Sequence, residues 1–287
     1  MRLLLPLVLL LLVACQSVPP DTVGSEQPPP GRIVDLRNGR TLSAGQLVDS
    51  LSRADRVLVG ERHDNPVHHQ VQRWLLEALA QRRKPGSLLL EMLNPDQQRR
   101  VSGVQASAVR GTWPDELPGA LAWQPGWPWS LYGPLVRYAL AQPYPLRAAN
   151  LDRAEISAIY RQVPSVTGAA AEPAVQAAIR EQIRVSHCNM LPEAEVPAML
   201  AVQQQRDRRM ADRMDAAPKP AVLFAGAFHV RRDLGVPLHL AAAGAATRVL
   251  MLAEQGEVVT AAQADYAWFT SAPRREEGCA AFRRADR

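Results

Sequence analysis

Long apolar runs, cysteines and the motifs of zinc proteases or nucleic-acid binders are all scarce in this 287-residue chain. The apolar stretch at its start, Leu3 to Val13, is too short to span a bilayer as a stable helix. Of three cysteines, Cys15 closes that stretch, which leaves Cys188 and Cys279. An even pair in an exported protein points to one disulfide, and the alternative is two free thiols. No nucleic-acid motif is present, so the formal charge of +5 and pI near 9.5 read as a solvated, Arg-rich surface, or one suited to an anionic ligand or a membrane surface. The order His-Glu-x-x-His is missing as well, which excludes a standard zincin helix.

What is present is ordinary globular composition, 47% hydrophobic and 21% charged, enough for one sizeable domain. Met1-Arg2 is a short positive region before the apolar leader, and Leu12-Val13-Ala14-Cys15 resembles a bacterial lipobox. That resemblance implies acylation of Cys15, which becomes the mature N-terminus and a lipid anchor. Gln16 after it favours the outer membrane, facing the periplasm. Residues 16–31 are rich in Pro, Ser, Gly and Gln and read as a tether of at most roughly 50 Å. The expected organisation is a leader over 1–15, a tether over 16–31 and a single domain over 32–287.

Within that domain apolar strands alternate with helices. Strands are expected at Ile33–Leu36, Val57–Val59, Ser87–Leu90, Pro145–Ala149, Ala221–Ala225, Thr247–Leu252 and near Asp265–Thr270. Helices are expected over about 44–54, 66–83 and 151–162, the last capped by Asn150, and one of about ten residues after His229. The alternation predicts an α/β fold: a mostly parallel central sheet with helices on both faces and an inserted helical cap, the helical insertions covering about 95–140 and 160–215. Residues 103–135 break the pattern. Trp113, Trp123, Trp127 and Trp129 fall among Gly and Pro, with no simple helix until about Tyr132. They could line an apolar pocket or pack as a lid over the sheet.

The chain is organised around Val57 to His69. An apolar strand stops at Gly60, Glu61 and His63 follow at once, and Asn65-Pro66 supplies a helix cap and first-turn proline. His68 and His69 fall in the first turn, where exposure is expected. A glutamate and three histidines thus crowd one strand-to-helix junction, on the side of an open α/β sheet where ligands bind. The device recurs at Leu88-Leu-Leu-Glu91 with Asn94-Pro95. Gly-x-x-His recurs as Gly226-Ala227-Phe228-His229.

These two Gly-x-x-His strand ends with Glu91 between them resemble the Tiki superfamily, which contains metalloproteases, erythromycin-esterase-like enzymes and a haem-binding lipoprotein branch, ChaN. Gly60 to His69 resembles the ChaN branch. So do Leu88 to Met92, Ala148-Ala149-Asn150, Gln205-Arg206-Asp207 with Met210-Ala211, and Asp265 to Phe269. The resemblance covers nearly the whole mature chain. It implies a haem-binding lipoprotein of bacterial haem or iron uptake, with no catalysis, that dimerises around two facing haems and passes haem to a receptor or transporter. It also implies a tyrosine on each iron, helped by a histidine of the other subunit. Trp129-Ser-Leu-Tyr132 resembles the family's Trp-x-x-Tyr, which makes Tyr132 the expected ligand, with Tyr160 and Tyr266 behind it and His63, His68 or His69 as helper. Tyrosinate is a hard donor suited to Fe(III), and a neighbouring Arg or His is expected to lower its phenol.

A rival chemistry uses the same residues. Glu61, His63, Glu91 and His229 form a plausible zinc or manganese set for a hydrolase. The tryptophans tip the reading toward a large flat apolar ligand.

Overall fold

The computed structural model describes residues 27–241, 247–275 and 279. Cys15 and most of the expected tether lie outside them. Among the described residues no helix is long and apolar enough to cross a membrane.

Eight strands form one sheet in the order β2-β1-β8-β7-β3-β6-β4-β5. They are β1 (Arg32–Asp35), β2 (Arg40–Leu42), β3 (Arg56–Glu61), β4 (Ser87–Leu90), β5 (Leu146–Ala148), β6 (Ala221–Gly226), β7 (Thr247–Glu254) and β8 (Tyr266–Thr270). All neighbours from β8 to β5 run parallel, and β1 is antiparallel to both β2 and β8. The β1–β2 hairpin turns through Asn38-Gly39, where Gly39 takes φ of 73°, the left-handed backbone that glycine adopts at no steric cost.

Strand periodicity sorts the core into two layers. Val57, Val59, Leu88, Leu90, Val222 and Phe224 face one side and pack with α1 (Ala44–Leu51), α2 (Pro66–Ala80), α3 (Gln98–Ala108), α4 (Leu117–Leu121) and α5 (Trp129–Leu140). Leu58, Leu89, Leu223, Ala225, Val249 and Met251 face the other side and meet Met210, Ala211 and Met214 of α8 (Val196–Ala216). α6 (Arg153–Arg161) and α7 (Pro173–Ser186) pack on α8 through small apolar clusters of their own. The sheet is thus mostly parallel and covered on both faces.

Several local expectations are corrected. Residues 103–135 hold more helix than their Gly and Pro content suggests: α3 runs to Ala108, α4 occupies Leu117–Leu121 and α5 already begins at Trp129. Pro134 lies inside α5, on a helix whose burial against the core offsets the lost backbone bond. Asn150 does not cap α6. Asp152 does, through a reciprocal capping box with Glu155. The helix after Gly226 is only the four residues of α9, Ala227–Val230.

Candidate functional site at the strand ends

Glu61 ends β3, Glu91 follows β4 and Gly226 ends β6, and these three strands are neighbours. Their carboxyl ends therefore bring the polar residues after them to one place. Two imidazole–carboxylate groups result.

In the first, Tyr132 donates its hydroxyl to Glu61 Oε1 at 2.7 Å. His63 Nδ1 lies 2.9 Å from the same oxygen and 3.1 Å from the Tyr132 hydroxyl. His69 Nδ1 stands 3.1 Å from Glu61 Oε2, a charge pair rather than an aligned hydrogen bond, since both atoms lack an aligned partner. Its Nε2 donates to the His63 carbonyl at 3.0 Å. Burial pushes the Glu61 carboxyl up, but His63 and His69 more than reverse this and hold it at about 2. For both histidines burial lowers the pKa, and Glu61 outweighs it, so both are raised.

In the second group His229 is clamped. Its Nδ1 faces Asp207 Oδ1 at 2.6 Å and its Nε2 faces Glu91 Oε1 at 3.3 Å. The Gln203 amide lies 3.1 Å from Nδ1. Glu91 Oε2 accepts the Gly226 N–H at 2.7 Å, and Asn150 donates to the Glu91 carbonyl at 2.8 Å. Burial depresses His229, but Glu91 and Asp207 raise it to about 10. Burial raises Asp207 to about 6 against the pull of His229. Glu91 is raised by burial and brought well below the usual carboxylate range by His229 and His63.

The two Gly-x-x-His loops interlock. A Cβ on Gly60 would stand 2.3 Å from Val230 Cγ2 and 2.9 Å from Ala227 Cα, in the second loop. A Cβ on Gly226 would stand 2.7 Å from His63 Nε2, in the first. Each glycine makes room for the other loop, a role for glycine beyond backbone freedom.

Placement of the expected residues is uneven. Glu61, His63, Tyr132 and His69 meet, as do Glu91 and His229, and His63 Nε2 is 4.0 Å from Glu91 Oε2. His68 turns away: its Nδ1 accepts the Arg62 N–H at 2.9 Å and its Nε2 lies 3.0 Å from Thr270 Oγ1. Burial lowers it to about 4. Both first-turn histidines are buried rather than exposed: His68 is covered by Thr270 at the end of β8, and His69 by Glu61 and the Tyr132 ring of α5. Tyr132 is fully enclosed. Its phenol is raised above the ordinary range by burial and by Glu61, the opposite of the lowering expected from a neighbouring cation. The sulfurs of Cys188 and Cys279 are bonded, with Cα atoms 5.6 Å apart.

A cleft of about 690 Å³ opens over this cluster, with Glu61, His63 and His229 on its floor and Phe228, Met251 and Val258 among its apolar walls. The tryptophans do not line it. Trp127 packs edge-on against His63 at 4.9 Å and Trp123 against Trp129 at 5.1 Å, and all four lie partly buried on the core. Trp113 and Trp129 instead line a second cavity of about 630 Å³ together with Arg137 and Tyr138, so the four tryptophans pack on the core and two of them also border an apolar hollow. The rival metal set forms a chain of pairwise contacts. Among the described residues no three His, Cys, Asp or Glu side chains are arranged to hold one metal ion.

Asp207, Gln203 and Asn150 complete the site. In the sequence Asn150 follows a strand and reads as a helix cap, Asp207 belongs to a family-like motif that gives it no role, and Gln203 carries no signal. Asp207 sits in a run of arginines in α8, and only the second-layer fold brings it under His229.

An open α/β sheet with buried carboxylate–imidazole groups at its strand ends defines the class. Residues 47–240 match the family described as haem-binding uptake, Tiki superfamily, ChaN, and the chain belongs to that family. A solved structure of cofacial haem binding to ChaN of Campylobacter jejuni is 27% identical, with a TM-score of 0.75, covering 83% of this chain and 96% of that one. An erythromycin esterase variant in its open conformation is 16% identical with a TM-score of 0.45, covering 80% of this chain and 79% of that one. No curated protein matches the chain.

Proposed function

We propose that the protein is a lipid-anchored haem carrier of the bacterial cell envelope, held in the outer membrane through acylated Cys15 and facing the periplasm. It binds haem without catalysis, pairs with a second copy around facing haems, and passes haem to a receptor or transporter. The observation that carries this reading is the likeness, over nearly the whole of that chain, to the Campylobacter protein with cofacial haems.

A tyrosine ligand must reach an iron outside the core. Tyr132 is enclosed, donates to Glu61 and resists ionisation. Tyr266 is buried too, whereas Tyr160 is 46% exposed near the end of α6. Val163, Val185 and Met190 are also exposed. The reading therefore assigns ligation to Tyr160 in place of Tyr132.

The test is a ferric-haem titration of the chain from Gln16 onward, read by the Soret and charge-transfer bands beside molecular mass. Tyr160→Phe is expected to lose the tyrosinate-type spectrum and the haem-dependent shift to dimer. Tyr132→Phe is expected to keep both. The reverse pattern returns the ligand to Tyr132, and no saturable binding ends the carrier reading.

A second reading, hydrolysis, rests on one observation: His63, backed by Glu61, opens into the cleft. Its metal-dependent form, with zinc or manganese, would use Glu61, His63, Glu91 and His229, whose side chains here contact one another in pairs, as carboxylate and imidazole groups do without a metal between them. A stoichiometric divalent metal removed by chelators, together with hydrolytic activity, is the result that favours it.

A further inference from the structure

We propose that the strand-end cleft is a second binding site, separate from the face that carries Tyr160, for a flat and mainly apolar small molecule with one polar group. The inference rests on the haem reading only in naming the other face. The cleft, about 690 Å³, falls within the range of small-molecule sites, about 300–1,000 Å³. Neither a tyrosine nor any residue of α6 is among the described residues that line it, and α7 borders it through Gln182 and Ser186.

Phe228 is the side chain that points to a flat ligand. Phe224 and Phe269 are buried, whereas Phe228 is 43% exposed and lines the cleft. Leaving a large aromatic in water forfeits burial worth roughly 1.5–3 kcal/mol, and here the fold holds the ring out. α9, which carries it, is wedged against Gly60 through Ala227 and Val230. The Arg231 guanidinium lies 5.9 Å from the ring centroid and is itself fixed by Asp233 through bonds of 2.9 and 2.6 Å. A fixed aromatic face is a stacking platform, and Met251, Val258 and Val259 extend the apolar lining.

The polar end is set by His63. Its Nδ1 is committed to Glu61 and Tyr132. Its Nε2, on a side chain 40% exposed, has Glu91 Oε2 only at 4.0 Å, beyond hydrogen-bond reach. That nitrogen is left for a ligand. The residues thus describe a ligand with a ring on Phe228 and a polar group on His63.

The experiment is a titration of the chain from Gln16 onward with 8-anilinonaphthalene-1-sulfonate, an apolar molecule with a flat naphthalene ring and one sulfonate, with and without ferric haem. Wild type is expected to show one saturable site that haem does not displace. Phe228→Ala is expected to weaken the probe by about tenfold, the loss of a stacking contact of roughly 1.4 kcal/mol, and Phe228→Trp to keep it. Tyr160→Phe is expected to lose haem and keep the probe. Probe binding that does not saturate, or that Phe228→Ala leaves unchanged, overturns the proposal. So does displacement of the probe by haem with both weakened in Phe228→Ala, which makes the cleft the haem site itself. A wild type that binds the probe and no haem supports the cleft site and sinks the haem reading alone.

Discussion

Gly-x-x-His is written twice in this chain, and its two histidines have opposite surroundings. His63 has a side chain 40% exposed, one nitrogen on Glu61 and the other toward the cleft. His229 is 7% exposed and held on both nitrogens by carboxylates. The cause lies in the backbone just beyond each glycine. After His63 the chain passes through Asp64 to the Asn65 cap and leaves along the fifteen residues of α2, so the histidine stays in the loop. After Gly226 the chain enters α9 directly, and His229 lies within that short helix, which turns its ring under Gly226 toward α8. One motif thus yields a presented imidazole and a locked one.

The largest break in this comparison comes from removing the locked ring. His229→Ala leaves Glu91 and Asp207 buried and facing a void, with no cation between them. Removing one partner of a buried ion pair costs about 3–5 kcal/mol, so urea unfolding is expected to show a loss of that size. A loss below about 1 kcal/mol, the size typical of exposed pairs, means the array is not charged as described.

Titration separates the imidazoles from the carboxylates by the direction of their pH dependence. Burial lowers His229, but Glu91 and Asp207 raise it from 6.5 to about 10. Its stabilising contribution is therefore complete below pH 6.5 and lost as pH rises toward 10. Glu61, raised by burial and brought from 4.5 to about 2 by His63 and His69, contributes above pH 4.5 and loses that contribution as pH falls toward 2. Wild-type stability is expected to fall on both sides. In His229→Ala the alkaline slope is expected to shrink to the share of His63 and His69, which Glu61 raises against burial, and the acid slope to shrink toward the share of Glu61, because Glu91 loses its main cation. An alkaline slope unchanged in His229→Ala assigns it to another group.

A smaller effect tests the interlock. In Gly60→Ala the new Cβ meets Ala227 Cα at 2.9 Å as well as Val230, and backbone cannot swing aside. Overpacking of this kind costs about 1–3 kcal/mol, to be read as a lowered denaturation midpoint.

The sequence makes one member of each pair visible and hides the rest, for reasons that differ by residue. Glu61, His63, Glu91 and His229 each stand at or just past the end of an apolar strand, and period-two burial locates strands well. Asp207 lies mid-helix among arginines, where charge patterning suggests a solvated face, and its partner is 22 residues away. Tyr132 is visible as an aromatic but not as a donor to Glu61, because the contact joins residues 71 apart. The start of α5 is hidden by Pro128 and Pro134, local breakers that tertiary packing overrides. His68 and His69 read as exposed because a first helical turn is open only until other elements cover it, here the end of β8 over His68 and Tyr132 of α5 over His69.

The smallest expected effect is the sharpest test of the difference between the two histidines. A Cβ on Gly226 would stand 2.7 Å from His63 Nε2 and 3.0 Å from Cε1, closer than side chains tolerate. Yet these atoms are the far end of a half-exposed ring, and Gly226 has φ of −58°, which alanine adopts freely. The ring can therefore move aside. Gly226→Ala is expected to cost less than Gly60→Ala, about 1 kcal/mol at the low end of overpacking, because a side-chain ring and not backbone must yield. It should nevertheless shift the emission of Trp127, whose ring centre is 4.9 Å from that of His63. If Gly226→Ala costs as much as Gly60→Ala, His63 is as firmly held as His229. The contrast between a presented and a locked imidazole then fails, and with it the use of His63 Nε2 as a ligand contact.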